Sequence, residues 1–181
     1  MKKAIVVIGH RYYVKLMTHL FHGTTEQGAF LFVTEQDDNG NILLLVNDIY
    51  LVPEEGWDHR SWAYLELNEK EKVKIMLMAR EKGCCLVECH SHRFPASKAV
   101  FSISDEKGLE EFLGYVKWKL GGKTYGAIVF GKSSMEGKVW PGATLPPVPI
   151  SQITVMKSGI IRGAMAKTSK WSKRILCRGS T

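Results

Sequence analysis

The sequence predicts a mixed α/β domain, a β-sheet with helices packed on it. Three observations predict it. Short β-branched and apolar runs recur along the chain with turn signals between them. Two longer segments carry helix-start signals and end at glycine. The chain has 181 residues, 45% of them hydrophobic, which suffices for one domain with a real core and excludes wholesale disorder.

Taken in order, Ala4 to Ile8 is apolar and β-branched and reads as a buried strand. Arg11 to Phe21 places Tyr12, Leu16, His19 and Leu20 at helical spacing, with Gly23 as the stop. Ala29 to Thr34 is a strand, and Asp37-Asp38-Asn39-Gly40-Asn41 is a hairpin turn, because Asn-Gly accepts positive φ. Ile42 to Val52 returns as its partner. Pro53 to Arg60 reads as a loop and Trp62 to Leu67 as a short strand. Asn68 caps a helix running to about Lys82, with Glu71 three residues on and Val73, Leu77 and Arg80 proposed as its buried face beside Met76. Cys84 to His90 is a strand. Ser102 or Ser104 then caps a helix to about Leu120, acidic early and basic late, as the helix dipole favours. Tyr125 to Phe130 and Lys138 to Trp140 read as a strand pair, and Ile150 to Met156 as a final strand of the same domain.

Charge marks off the end of the chain. Lys plus Arg number 25 against 18 Asp plus Glu, a net charge of +7. The stretch from Lys157 onward holds seven basic residues and no acid, so it carries the whole excess. The expected organisation is therefore a domain over 1–157 and a basic C-terminal segment over 158–181. That segment reads as a solvated tail rather than a contact for an acidic protein surface or nucleic acid, and no Arg/aromatic stripe supports the nucleic-acid reading. Cys84, Cys85, Cys89 and Cys177 form no CxxC pair and read as buried thiols in a reducing compartment. His10 and Arg11 cut the N-terminal apolar run too early for a signal peptide, and no stretch reaches transmembrane length. The expected setting is cytoplasmic, away from membranes.

The chemistry concentrates in His90-Ser91-His92 and Ser102-Ile103-Ser104-Asp105. On a strand, residues i and i+2 share a side, so His90 and His92 can present both imidazoles to one point. Cys89 then faces the other way. Two imidazoles and the Asp105 carboxylate suit zinc, and three protein ligands leave the fourth position open. Ser102 lies on the same helix face as Asp105, where its hydroxyl can donate to a developing oxyanion. Glu26, at the mouth of a strand, stands out as an acid/base, although composition alone does not choose it over Glu35 or Glu88.

Glu26-Gln27-Gly28-Ala29-Phe30-Leu31, His90-Ser91-His92 and Ser102-Ile103-Ser104-Asp105 together resemble the JAMM motif of the JAB/MPN family, in its prokaryotic branch. The resemblance implies a central mixed β-sheet flanked by helices, as in that family, over 1–157. It implies a zinc-dependent peptidase or isopeptidase, with His90, His92 and Asp105 as metal ligands, Glu26 as acid/base and Ser102 as oxyanion donor. The implied substrate is the C-terminus of a ubiquitin-like protein or its conjugate, with modifier-activating and conjugating proteins as further partners. A non-catalytic scaffold or interaction module of the same family is the alternative. Two departures stand out: Arg93 replaces the usual proline after the second histidine, with Pro95 two residues later, and the Ser-x-x-Asp arrives about two residues late. A loop insertion accounts for both, with Arg93 as a solvated charge.

Overall fold

The computed structural model describes residues 2–61, 64–93, 99–144, 146–157 and 172–176. Ten strands and three α-helices are described: β1 (Ala4–Gly9), α1 (His10–Leu20), β2 (Gly28–Asp38), β3 (Asn41–Leu51), β4 (Trp57–Arg60), β5 (Leu65–Leu67), α2 (Glu69–Glu81), β6 (Cys85–Ser91), α3 (Ile103–Lys119), β7 (Tyr125–Phe130), β8 (Met135–Trp140), β9 (Val148–Met156) and β10 (Ser172–Leu176). Among the described residues no helix is long and apolar enough to cross a membrane.

The sheet closes on itself, which corrects the expected helix-flanked JAB/MPN-like sheet. Neighbouring strands run β1-β3-β2-β6-β7-β8-β9, and β9 pairs back onto β1, giving a seven-stranded barrel. β1 is the closing strand, parallel to β3 on one edge and to β9 on the other. β6 and β7 are also parallel, and the remaining neighbours around the ring are antiparallel. Closure leaves no free edge on β1, which removes a site of strand-to-strand association. β8 meets β9 only at Pro149 and Val148, and β10 pairs with the stretch of β9 beyond them. The rest of the basic segment, Pro95 and Trp62 lie outside the described residues.

Alternation along the strands builds two cores. Ala4, Val6 and Ile8 of β1, Ile42, Leu44 and Val46 of β3, and Val87 and Cys89 of β6 pack in one cluster, joined by Leu16 and Leu20 of α1. The opposite faces of β2, β6 and β7 contribute Phe30, Phe32, Leu86, Tyr125 and Ala127 to a second cluster under α2 and α3. β2 and β7 are therefore buried on both faces where they cross the middle, and both read as near-continuous apolar runs.

Two local expectations change. Trp57–Arg60 is a strand paired with Leu65–Leu67 rather than a loop. In α2 the buried residues are Glu71, Ile75, Met76 and Ala79, whereas Val73 and Leu77 are 46% and 50% exposed and Arg80 is exposed. Lys-Val-Lys-Ile-Met-Leu-Met-Ala is apolar on too many sides for spacing to choose a face, and packing against the barrel chooses it. Lysine at position 73 or 77 is expected to change stability by less than about 0.5 kcal/mol. Ile75→Ala is expected to cost about 2–5 kcal/mol. Urea unfolding of the three variants checks both.

Candidate metal centre

The site forms where β6 ends beside the start of α3. Cys89 turns into the barrel core, so His90, one residue on, faces the helices. The backbone of Ser91 pairs with Phe130 of β7, and the His92 N–H donates to the Phe130 carbonyl at 2.8 Å, which extends the strand geometry through the second histidine. The two imidazole centroids lie 5.1 Å apart.

α3 delivers Asp105 through its own cap. The Asp105 N–H donates to Ser102 Oγ at 3.1 Å, and the Ser102 N–H donates to Asp105 Oδ2 at 2.6 Å. This reciprocal capping box satisfies two helix-start N–H groups and fixes the carboxylate toward β6. His92 Nε2 then lies 3.2 Å from Asp105 Oδ2, and His90 Nε2 lies 3.5 Å from Oδ1. The latter is longer than a well-made hydrogen bond. Burial works to raise the Asp105 carboxyl. The close approach of both imidazoles, the His90 charge and the Ser102 N–H outweigh it and hold Asp105 well below the usual carboxylate range. The Asp105 hydrogen bond raises His92 against the opposing effect of burial.

These residues fit a divalent cation. One ligand atom from each of His90, His92 and Asp105 falls within 4.8 Å of the others. Two ligands bound tetrahedrally at zinc distances sit about 3.3 Å apart, close to the two imidazole–carboxylate separations. His90 Nε2 is buried without a hydrogen-bond partner. Leaving such a group unpaired costs about 1–3 kcal/mol, and a cation supplies the missing partner.

Glu26 joins the group from the loop before β2. It is only 3% exposed, and its Oε1 lies 3.9 Å from His92 Nε2. Burial pushes its carboxyl up to about 7, against the pull of the His92 and His90 charges. The backbone around it is held on several sides. The Glu26 N–H donates to the Ser61 carbonyl at 3.0 Å. Gln27 exchanges bonds with Ser91: its N–H donates to Ser91 Oγ, and the Ser91 N–H donates to its carbonyl, each at 3.1 Å. Ser91, between the two histidines, thus ties the strand carrying them to the loop carrying Glu26. His19, which is no part of the cation group, donates through Nε2 to the Gly28 carbonyl at 3.0 Å.

Arg93 is not a solvated charge. Its Nε donates to the Thr25 carbonyl at 2.7 Å, and its terminal nitrogens donate to the carbonyls of Gly23, Leu20 and His22. One guanidinium therefore gathers carbonyls from the C-terminal end of α1 and the loop leading to Glu26, where a cation also meets the negative end of the helix dipole. Its position directly after His92 carried no signal of this in the sequence. Arg93→Ala is expected to accelerate amide hydrogen exchange over residues 20–27 while metal content stays unchanged. Arg93→Lys restores this protection only in part, because an ammonium lacks the planar fork.

Ser102 and Ser104 hydroxyls lie 2.8 Å apart. Ser104 lines the cleft beside the metal-ligand group, along with Trp57 and Tyr64. Glu88 also lines it and accepts a hydrogen bond from the Tyr125 hydroxyl at 2.6 Å, while burial raises its carboxyl. Glu35 is exposed on β2, beyond its buried first half.

No protein-family model matches the sequence, and no curated protein matches it. Among solved structures, the chain is similar to the solution structure of a protein from Desulfitobacterium hafniense, with 13% identity over 85% of this chain and 94% of that one, and a TM-score of 0.51. A likeness at that identity is one of fold alone.

Proposed function

We propose that this protein is a zinc-dependent hydrolase of peptide or isopeptide bonds, a JAMM-type metallopeptidase by its site. The reading rests on residues rather than on fold, since one architecture hosts many chemistries. The observation that carries it is the convergence of His90, His92 and Asp105 within 4.8 Å, with the buried Glu26 carboxyl 3.9 Å from His92. His90, His92 and Asp105 hold the ion. Zinc bound there supplies Lewis-acid polarisation of a carbonyl and a water acidic near neutral pH.

The chain's own groups do the rest. Glu26, buried and 3.9 Å from His92, carries a carboxylate that can take a proton beside the ion and return it, as a general acid/base requires. Asp105 keeps a negative charge against both imidazoles. Ser102 accepts the Asp105 N–H, and its hydroxyl proton is the one offered to a developing oxyanion. Ser102→Ala is expected to cost about 0.5–2 kcal/mol of stability through the lost cap. It is also expected to lower kcat about 10²–10³-fold through the lost donor. Ser104→Ala serves as the control that leaves the cap in place, and urea unfolding beside steady-state kinetics separates the two effects.

The motif directs the substrate toward the C-terminal tail of a ubiquitin-like protein or its conjugate, with modifier-activating and conjugating proteins as partners. The free thiols of Cys84, Cys85 and Cys89 support a reducing, cytoplasmic setting. The experiment is cleavage of a ubiquitin-like protein carrying a C-terminal extension, beside metal analysis, with and without chelator. Cleavage abolished by chelator and restored by zinc supports the reading. A stoichiometric metal with no cleavage favours the non-catalytic interaction module.

A further inference from the structure

A cleft of about 540 Å³ opens directly from the candidate metal centre, with Glu26, His90 and Asp105 forming one end of its wall. That volume falls in the range of small-ligand sites, roughly 300–1,000 Å³, and exceeds a single side chain. The remaining wall is rich in aromatic rings: Phe30 of β2, Trp57 of β4, Tyr64 just before β5, and Phe112 and Tyr115 of α3. Phe112 lies 6.0 Å from both Phe30 and Tyr115, at spacings where rings attract one another.

Charges of both signs line the cleft, and several are engaged. Besides the carboxyls of the metal centre, Glu66, Glu69, Glu88 and Glu111 face Lys72 and Lys107, with Glu88 accepting from the Tyr125 hydroxyl and Lys72 paired with Glu69 at 2.7 Å. The apolar wall is therefore what discriminates. Trp57 is its fixed element. Its ring lies against β2 where residue 28 lacks a side chain, and a Cβ there would come within 2.6 Å of Trp57 Cη2. The Trp57 Nε1 atom is buried without a hydrogen-bond partner. That nitrogen is closed off from solvent, so Trp57 meets an occupant of the cleft through its ring carbons.

We infer that this cleft seats the substrate residue next to the scissile bond and selects a large apolar side chain, an aromatic one above all, which packs against the Trp57 ring. The inference rests on the hydrolase reading for the word substrate, and its test has one arm that does not.

In the first arm, the Trp57 indole resonance, assigned by its absence in Trp57→Phe, is followed in chelated protein during titration with N-acetyl-phenylalanine amide or N-acetyl-alanine amide. The expected result is a saturating shift with the phenylalanine compound and none with alanine. In the second arm, substrates differing only in the residue beside the scissile bond (Phe, Leu, Ala, Lys or Glu) are compared by kcat/KM. The expected preference for Phe over Ala is about tenfold or more, and both Trp57→Ala and Tyr115→Ala bring the ratio toward one. An unmoved indole resonance, or cleavage indifferent to that residue or favouring Lys or Glu, overturns the inference. A saturating shift without cleavage of any substrate overturns the hydrolase reading and leaves the aromatic site standing.

Discussion

Glu26→Gln is expected to retain the metal at the wild-type ratio and to lower kcat about 10²–10⁴-fold. Glutamine preserves size and can still hydrogen-bond, but it cannot take a proton. Glu26 is not one of the three grouped ligands; its nearest contact among them is His92, at 3.9 Å. Ion binding and proton transfer therefore separate in this variant. Its fold should also survive, because the backbone around position 26 is held by Ser61, Ser91 and Arg93 rather than by the carboxyl. Steady-state kinetics beside metal analysis checks the prediction, and undiminished turnover removes Glu26 from the mechanism.

Asp105→Ala is expected to have two effects that chelation can resolve. Asp105 Oδ2 contacts His92 at 3.2 Å and accepts the Ser102 N–H at 2.6 Å, so one carboxylate serves both the ion and the start of α3. Removing it should release the metal and open the capping box. With chelator present, the variant should unfold about 0.5–2 kcal/mol more easily than the metal-free wild type, which isolates the cap. Without chelator the gap widens. Free zinc at a thousandfold excess over its dissociation constant stabilises the wild type by about 4 kcal/mol. Asp105→Asn keeps an acceptor for the Ser102 N–H and should recover most of the cap without recovering the metal. Unfolding of the three proteins in both conditions supplies the comparison.

What the sequence made legible is what local chemistry decides. Asn68 accepts the Glu71 N–H at 2.8 Å, as a helix cap should. Asn39 and Gly40 take φ of 52° and 83° in the hairpin turn, where their residue types put them. His90 and His92 share a side of the chain because a strand alternates, and Asp105 reaches them because it sits at the third position of a capped helix. Barrel closure was not legible. It depends on β1 meeting β9 about 150 residues away, and periodicity within Ala4–Gly9 reads the same in an open sheet. The buried face of α2 was hidden by its surplus of apolar residues. Arg93 was hidden differently: its charge is exhausted on backbone carbonyls 68 to 73 residues distant in sequence, and such partners leave no residue pattern to read.

The most direct measurement is metal stoichiometry across single variants after purification without added zinc. The account predicts one zinc per chain in the wild type and in Glu26→Gln, and loss of it in His90→Ala, His92→Ala and Asp105→Ala. A folded wild-type chain that takes up no divalent ion, or one whose ion persists when these three side chains are removed in turn, would contradict it.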